Sequence, residues 1–169
     1  MRKTINYSII ALFFCLAFVS CGKKQIYEKT VALPNQTWER IEGGKDIKFE
    51  KINVKSIEDA YDINISFRHK PTINVDEISF VLRIISPSGM KKESIHTIKL
   101  KDRDGKKYVG KNLGEEIDIK EPIKQYFFFP EVGQYTIIIS NYCEKYEVNG
   151  LSDIGIEIVK SDLDYEIEK

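Results

Sequence analysis

Alternation of apolar and polar residues with a period of two is the feature of this sequence that most restricts its fold. In residues 61–68 the side chains of Tyr61, Ile63, Ile65 and Phe67 are apolar, and polar residues stand between them. Successive side chains of a strand point to opposite faces, so this pattern predicts a strand with one buried face. The same alternation recurs in residues 78–85, 95–100, 135–140 and 154–158.

The second of these segments, residues 78–85, is apolar on both faces, because Val81 and Ile85 stand between the main apolar positions. Apolar residues on both faces indicate a central strand. Weaker strand candidates are residues 26–33, 47–54 and 123–129.

Turn residues separate the predicted strands. Ser86-Pro87-Ser88-Gly89 and Asp102-Arg103-Asp104-Gly105 both end in glycine, which adopts positive φ without steric cost. The five prolines fall at predicted strand ends, where a missing N–H does least harm; they are residues 34, 71, 87, 122 and 130. Seven to nine short strands with frequent turns predict an all-β domain, a single antiparallel β-sandwich of immunoglobulin-like type.

Tyr135 lies at the start of a predicted strand, after Gly133 and Gln134. In immunoglobulin-like sandwiches a tyrosine near the start of the penultimate strand packs inward and bonds its hydroxyl to the backbone upstream. We therefore expect Tyr135 to be buried, with its hydroxyl bonded to preceding backbone.

The N-terminus has the three-part layout of a secretory signal. Arg2 and Lys3 are followed by an apolar run in residues 9–19, and small residues follow. Phe18-Val19-Ser20-Cys21 is close to the bacterial lipoprotein box, in which a small residue precedes a cysteine whose sulfur receives a diacylglyceryl group. A membrane-spanning segment and a plain secretory signal with an incidental cysteine are the alternatives.

We therefore predict a lipoprotein signal peptide in residues 1–20, a lipidated tether in residues 21–25 and a β-sandwich domain in residues 26–169. The lipid is expected on Cys21. Cys15 leaves with the signal, so Cys143 has no intramolecular partner, and we expect it to be a partly buried small apolar residue.

No motif for catalysis or metal binding is visible in the sequence. Asp102-Arg103-Asp104-Gly105 resembles the opening of an EF-hand loop, but Lys106 and Leu113 stand where calcium ligands are needed. His69 and His96 belong to no zinc motif, and we expect both to be solvated. The chain is expected to have no catalytic residues, no metal and no cofactor. Its 26 basic and 26 acidic residues balance, so the net charge gives no indication of nucleic-acid binding.

The aromatic run Tyr126-Phe127-Phe128-Phe129 is apolar on both sides of a strand. One explanation is a central strand covered on both faces. The other is that one side is a docking patch for a partner, since exposed apolar patches often mark partner sites. Phe127 and Phe129 share one side, and Tyr126 and Phe128 share the other.

An ordered series of segments along the mature chain resembles the GldH family, the gliding-motility-associated lipoproteins of Bacteroidetes. The segments are Ile26-Tyr27-Glu28, Leu33-Pro34-Asn35 with Trp38, Tyr61-Asp62-Ile63, the strand running into Ser86-Pro87-Ser88-Gly89, Leu100-Lys101-Asp102-Arg103-Asp104-Gly105-Lys106 with Gly110 and Gly114, Phe129-Pro130-Glu131-Val132-Gly133-Gln134-Tyr135-Thr136, and Gly150-Leu151-Ser152-Asp153-Ile154-Gly155.

This resemblance implies a part in the gliding machinery, which in that phylum is linked to type IX secretion. Its expected partners are the lipid bilayer, through the N-terminal acyl chains, and other gliding and secretion proteins of the cell envelope. The resemblance implies no enzyme activity. The basic residues after Cys21 favour the outer membrane, facing the periplasm, with the inner membrane as the alternative. A glycan-binding lipoprotein of a polysaccharide uptake system is the other functional hypothesis.

Overall fold

Eleven β-strands make up most of the chain that the computed structural model describes, residues 24–40 and 46–162. The predicted signal peptide and Cys21 lie outside these residues. A short 3-10 turn at Pro34–Gln36 follows the first strand. The strands are β1 Gln25–Ala32, β2 Thr37–Glu39, β3 Ile47–Val54, β4 Tyr61–His69, β5 Glu77–Ile85, β6 Lys91–Lys99, β7 Lys111–Asn112, β8 Ile117–Phe127, β9 Gly133–Asn141, β10 Glu147–Asn149 and β11 Leu151–Lys160.

The strands form two large sheets and one small one. The first has five strands in the order β1-β11-β4-β8-β7, the second has four in the order β3-β9-β5-β6, and β10 pairs with β2. Every pairing between these strands is antiparallel. The two large sheets face each other, since the rings of Phe67 in β4 and Phe80 in β5 lie 5.7 Å apart. The predicted all-β antiparallel sandwich is confirmed.

The period-two pattern matches the buried face of the strands. Ile63, Ile65 and Phe67 of β4 are fully buried in the core between the sheets. The strand predicted as central, β5, lies between β9 and β6 in the four-stranded sheet. Both predicted turns also form, with the Gly89 and Gly105 amides donating to the carbonyls of Ser86 and Asp102.

Tyr135 adopts the predicted position near the start of β9. Its side chain is 1% exposed, and its hydroxyl donates to the carbonyl of Glu131 (2.9 Å) and accepts from the Glu131 amide (3.1 Å). Burial raises the pKa of this hydroxyl, so it stays protonated and able to donate. The expected inward packing and the upstream backbone bond are both confirmed.

Strand β8 differs from the prediction in extent and in the place of its proline. It begins at Ile117 and ends at Phe127, so Pro122 lies inside the strand and not at its end. Proline is tolerated in a strand at an edge or a bulge. Strand β7 pairs only with Ile117 and Asp118, which leaves β8 at the sheet edge by Pro122, and the pairing with β4 shifts register beside it.

Three short strands, β2, β7 and β10, have no counterpart in the prediction. They contain two or three residues each, too few to show a repeating pattern. Their pairing depends on partners distant in the chain, as where Trp38 of β2 lies opposite Val148 of β10. Trp38 is 1% exposed, so its ring faces the core and not the solvent.

The structure confirms the expectation for Cys143 and contradicts the expectation for His69. Cys143 is buried as expected, and burial raises the pKa of its thiol. The expectation that His69 is solvated is wrong: the ring is fully buried at the end of β4, 5.1 Å from the ring of Tyr108. Its Nδ1 lies 2.9 Å from the carbonyl of Lys70 and donates to it. His96 of β6 is half-buried and stacks on Phe80.

Burial of His69 predicts a loss of stability in mild acid. Burial lowers the pKa of His69, more than the bond to Lys70 raises it, so the folded protein binds a proton less readily than the unfolded chain does. The neutral ring therefore stabilises the fold fully above about pH 6.5, and this contribution is lost as the pH falls towards the lower, folded pKa. We expect the free energy of unfolding, measured by urea titration, to decrease between about pH 7 and pH 5.5.

His69→Gln should flatten this slope, because the amide does not titrate. His96→Gln is the matched control and should flatten it less, since His96 is half-buried and bonds the Ser94 hydroxyl. The same acid slope in the parent and in His69→Gln would show that His69 is not the cause.

Candidate docking surface

The aromatic run lies where β8 leaves the five-stranded sheet. Phe127, the last residue of β8, pairs with Tyr61 at the start of β4, whereas Lys124 pairs with Ile63. Three steps on β8 therefore oppose two on β4, which is a β-bulge. Tyr126 lies in this bulge with φ of 52°. A positive φ is strained for a bulky residue and needs support from its surroundings.

That support comes from Asp62, a buried residue of β4. Its carboxylate accepts a hydrogen bond from the backbone amide of Tyr126 (3.1 Å) and another from the Ser161 hydroxyl. These bonds join the bulge to the neighbouring strand and to the end of β11. Sequence reasoning did not single out Asp62, because it occupies one of the polar positions of the alternating strand, as Asn64 and Ser66 do.

Phe127 and Phe129, which we name the inward pair, pack against the core. Phe129 is 1% exposed and contacts the rings of Tyr135 (4.7 Å), Phe127 (4.9 Å) and Tyr61 (5.3 Å). Phe127 is half-buried, and the Lys92 ammonium lies 5.4 Å from the centre of its ring.

Tyr126 and Phe128, which we name the outward pair, are 55% and 47% exposed. The division of the run into two pairs therefore holds, and the structure shows which pair faces solvent. The explanation that the run is a central strand covered on both faces is wrong, because the outward pair is exposed and, among the described residues, only β4 pairs with this end of β8.

The loop after the run is tied to the turn between β5 and β6. The Ser88 hydroxyl donates to the Glu131 carboxylate (2.6 Å), and hydrogen bonds from Ser86 and Ser88 lower the pKa of Glu131. A Cβ added to Gly133 would lie 2.7 Å from Pro87, so only glycine allows this close approach. The loop and the turn together form one surface.

A small apolar pocket opens between this turn and the aromatic run. The pocket has a volume of about 180 Å³, and the exposed side chain of Met90 lines it. Its lining includes Ile84, Met90, Phe127, Pro130 and Tyr135. Met90 and Val132 are exposed apolar residues next to the run, and sequence reasoning did not single them out because each stands alone among polar neighbours.

The remaining predictions concern the lipidation site, the turn at Asp102, metal binding and membrane spans. Cys21, the predicted lipidation site, lies outside the described residues. In the turn at Asp102, the carboxylate accepts hydrogen bonds from the backbone amides of Lys106 and Lys107. Within residues 24–40 and 46–162 no group of three His, Cys, Asp or Glu side chains is arranged to hold a metal ion. The same residues include no helix of the length and apolarity that a membrane span requires.

Comparison with known proteins identifies the family. No curated protein matches the chain at significant similarity. The model of the GldH lipoprotein family matches residues 25–158, which covers the sandwich from the start of β1 almost to the end of β11 and includes the aromatic run. The resemblance expected from the ordered sequence segments is thus confirmed, and the chain belongs to the GldH lipoprotein family.

Proposed function

We propose that this gliding-motility-associated lipoprotein is a non-enzymatic structural or assembly component, needed for gliding and linked to the type IX secretion and gliding machinery. The observation that carries the proposal is the family match over residues 25–158. Membership of a lipoprotein family makes the protein a membrane-anchored component of the cell envelope. Other gliding and secretion proteins of the envelope are its proposed protein partners.

We place the anchor on Cys21 and the protein at the periplasmic face of the outer membrane. The residues after Cys21 are Gly22-Lys23-Lys24-Gln25, and this basic stretch differs from the acidic run of surface-exposed lipoproteins in Bacteroidetes. The inner membrane is the alternative, and separation of the two membranes followed by immunoblotting distinguishes them.

The outward pair is the surface through which we propose that the protein acts. Both side chains are large, aromatic and about half exposed, and the backbone that carries them is held by Asp62 and by the inward pair. Aromatic side chains on a rigid backbone make effective anchors, because little conformational entropy is lost when they are buried in a contact.

We expect Tyr126→Ser combined with Phe128→Ser to abolish colony spreading in a deletion strain that carries only this variant. Stability should stay within about 0.5 kcal/mol of the parent, as for ordinary surface changes. The matched control is Tyr142→Ser with Tyr146→Ser, an equally exposed tyrosine pair located elsewhere. It should preserve spreading.

Normal spreading by a folded, lipidated outward-pair variant would contradict the proposed role of this surface. Growth of the deletion strain on polysaccharides is scored in parallel. A growth defect with intact spreading would instead favour the glycan-binding alternative.

A further inference from the structure

The start of the described chain and the aromatic run lie at the same end of the sandwich. The Lys160 amide donates to the carbonyl of Lys24 (2.9 Å), Lys160 pairs with Tyr61, and Tyr61 pairs with Phe127. Strands β1, β11, β4 and β8 are neighbours in this order. Lys24 and Phe127 are thus three strand spacings apart, about 14 Å. We name this end of the sandwich the anchor end.

The tether from the anchor end to the lipid is short. Lys24 is three positions after Cys21, and an extended chain spans at most about 3.6 Å per residue. If Cys21 carries the lipid, as proposed above, Lys24 lies within about 11 Å of the membrane surface. That gap has the width of a single α-helix with its side chains, about 10–12 Å.

Further exposed apolar side chains join the outward pair at the anchor end. Ile57 lies in the connection that leads into β4, Met90 precedes β6, and Val132 precedes β9; all three are about half exposed or more. The starts of β6 and β9 and the end of β5 are paired with one another, which places these connections at one end of the four-stranded sheet.

Lysines also lie at the anchor end. Lys24, Lys55, Lys91 and Lys92 are exposed at the anchor end, and two exposed acids, Glu58 and Asp162, lie there too. Two other acids have local partners: Asp59 forms an ion pair with Lys160, and Glu131 accepts a hydrogen bond from Ser88. Lysine ammonium groups bind the phosphates of lipid headgroups, and a long lysine stem lies well along apolar surface.

We propose that the anchor end rests on the lipid bilayer, with the outward pair of Tyr126 and Phe128 inserted at the membrane interface. Tyrosine has an apolar ring and a polar tip, which suits it to the boundary between headgroups and acyl chains. The short tether leaves too little space for a folded partner between this end and the membrane, so the bilayer is the occupant that fits. The proposal rests on the lipidation of Cys21 and names the occupant of the surface assigned above.

Fluorescence quenching tests this contact on the full mature lipoprotein in vesicles of phosphatidylethanolamine, phosphatidylglycerol and a phosphatidylcholine brominated on its acyl chains. Tyr126→Trp places a fluorophore in the outward pair. Tyr142→Trp is the matched control at the opposite end of β9, whose nine residues span about 30 Å. The native Trp38 is buried beside Val148 at that opposite end, and it contributes a constant background.

We expect the brominated lipid to quench the emission of Tyr126→Trp and to leave the emission of Tyr142→Trp unquenched, as in the parent. Equal emission of Tyr126→Trp with and without bromine, in protein shown by mass to be lipidated, would overturn the proposal.

The two proposals fail separately. Quenching at residue 126 with normal spreading by the Tyr126→Ser, Phe128→Ser variant would support the bilayer contact and contradict its need in gliding. Loss of spreading without quenching would overturn the bilayer contact and assign the surface to a protein partner.

Discussion

Tyr135→Ala should lower the free energy of unfolding by about 3–5 kcal/mol, the usual cost of removing a large buried aromatic ring. The ring is 1% exposed and packs 4.7 Å from that of Phe129, so its removal leaves a cavity beneath the aromatic run. The Glu131 amide and carbonyl also lose their bonds to the hydroxyl. Denaturation in urea, followed by far-ultraviolet circular dichroism, measures the change.

Tyr135→Phe separates the hydroxyl from the ring. It keeps the ring and should cost only about 0.5–1.5 kcal/mol, the net value of a typical hydrogen bond. Tyr142→Ala removes an exposed tyrosine from the other end of β9 and should change stability by about 0.5 kcal/mol or less. If Tyr135→Ala and Tyr135→Phe were both as stable as the parent, the buried corner around Glu131 would be wrong.

Cys21→Ser should abolish lipidation and leave unprocessed precursor, because serine has no thiol to form the thioether. A single acyl chain gives only marginal membrane binding, whereas a lipoprotein cysteine carries two or three chains, enough for stable anchoring. Metabolic labelling with an alkyne fatty acid measures the effect as complete loss of label from the protein band.

Cys143→Ser is the matched control for this experiment. Cys143 is buried in the sandwich, with its sulfur 3.4 Å from the carbonyl of Ser79, so it is inaccessible to the lipid-transfer enzyme. The control should keep the full label. Persistent label on Cys21→Ser would show that the lipid is attached elsewhere.

At the aromatic run, the sequence predicted the division into two pairs but not which pair faces the core. Alternation along a strand predicted the two pairs that the structure shows. The strand itself ends at Phe127, and the β-bulge at Tyr126 interrupts the regular alternation. The inward pair is selected at the β-bulge of Tyr126, where the Tyr126 amide is bonded to Asp62 of the neighbouring strand. The two residues are 64 positions apart in the sequence, so no local pattern reports their contact.

His69 and Pro122 show a local and a distant cause. His69 continues the alternation of Ile63, Ile65 and Phe67, which places it on the buried face of β4, and the ring of Tyr108 packs beside it. The expectation of a solvated ring rested on residue type and not on this alternation. Pro122 lies within β8, because β7 is too short to pair with that part of the strand. The short length of β7 is not visible from the residues around Pro122.

The sequence by itself determined the fold class, the turns and the family, because each depends on residues that are close together or on their order along the chain. Tertiary structure alone decided that the outward pair is exposed at the same end as the start of β1. The order β1-β11-β4-β8 creates this arrangement by pairing strands from both ends and the middle of the chain. Strand order depends on the burial of whole sheet faces against each other, a property that no single segment contains.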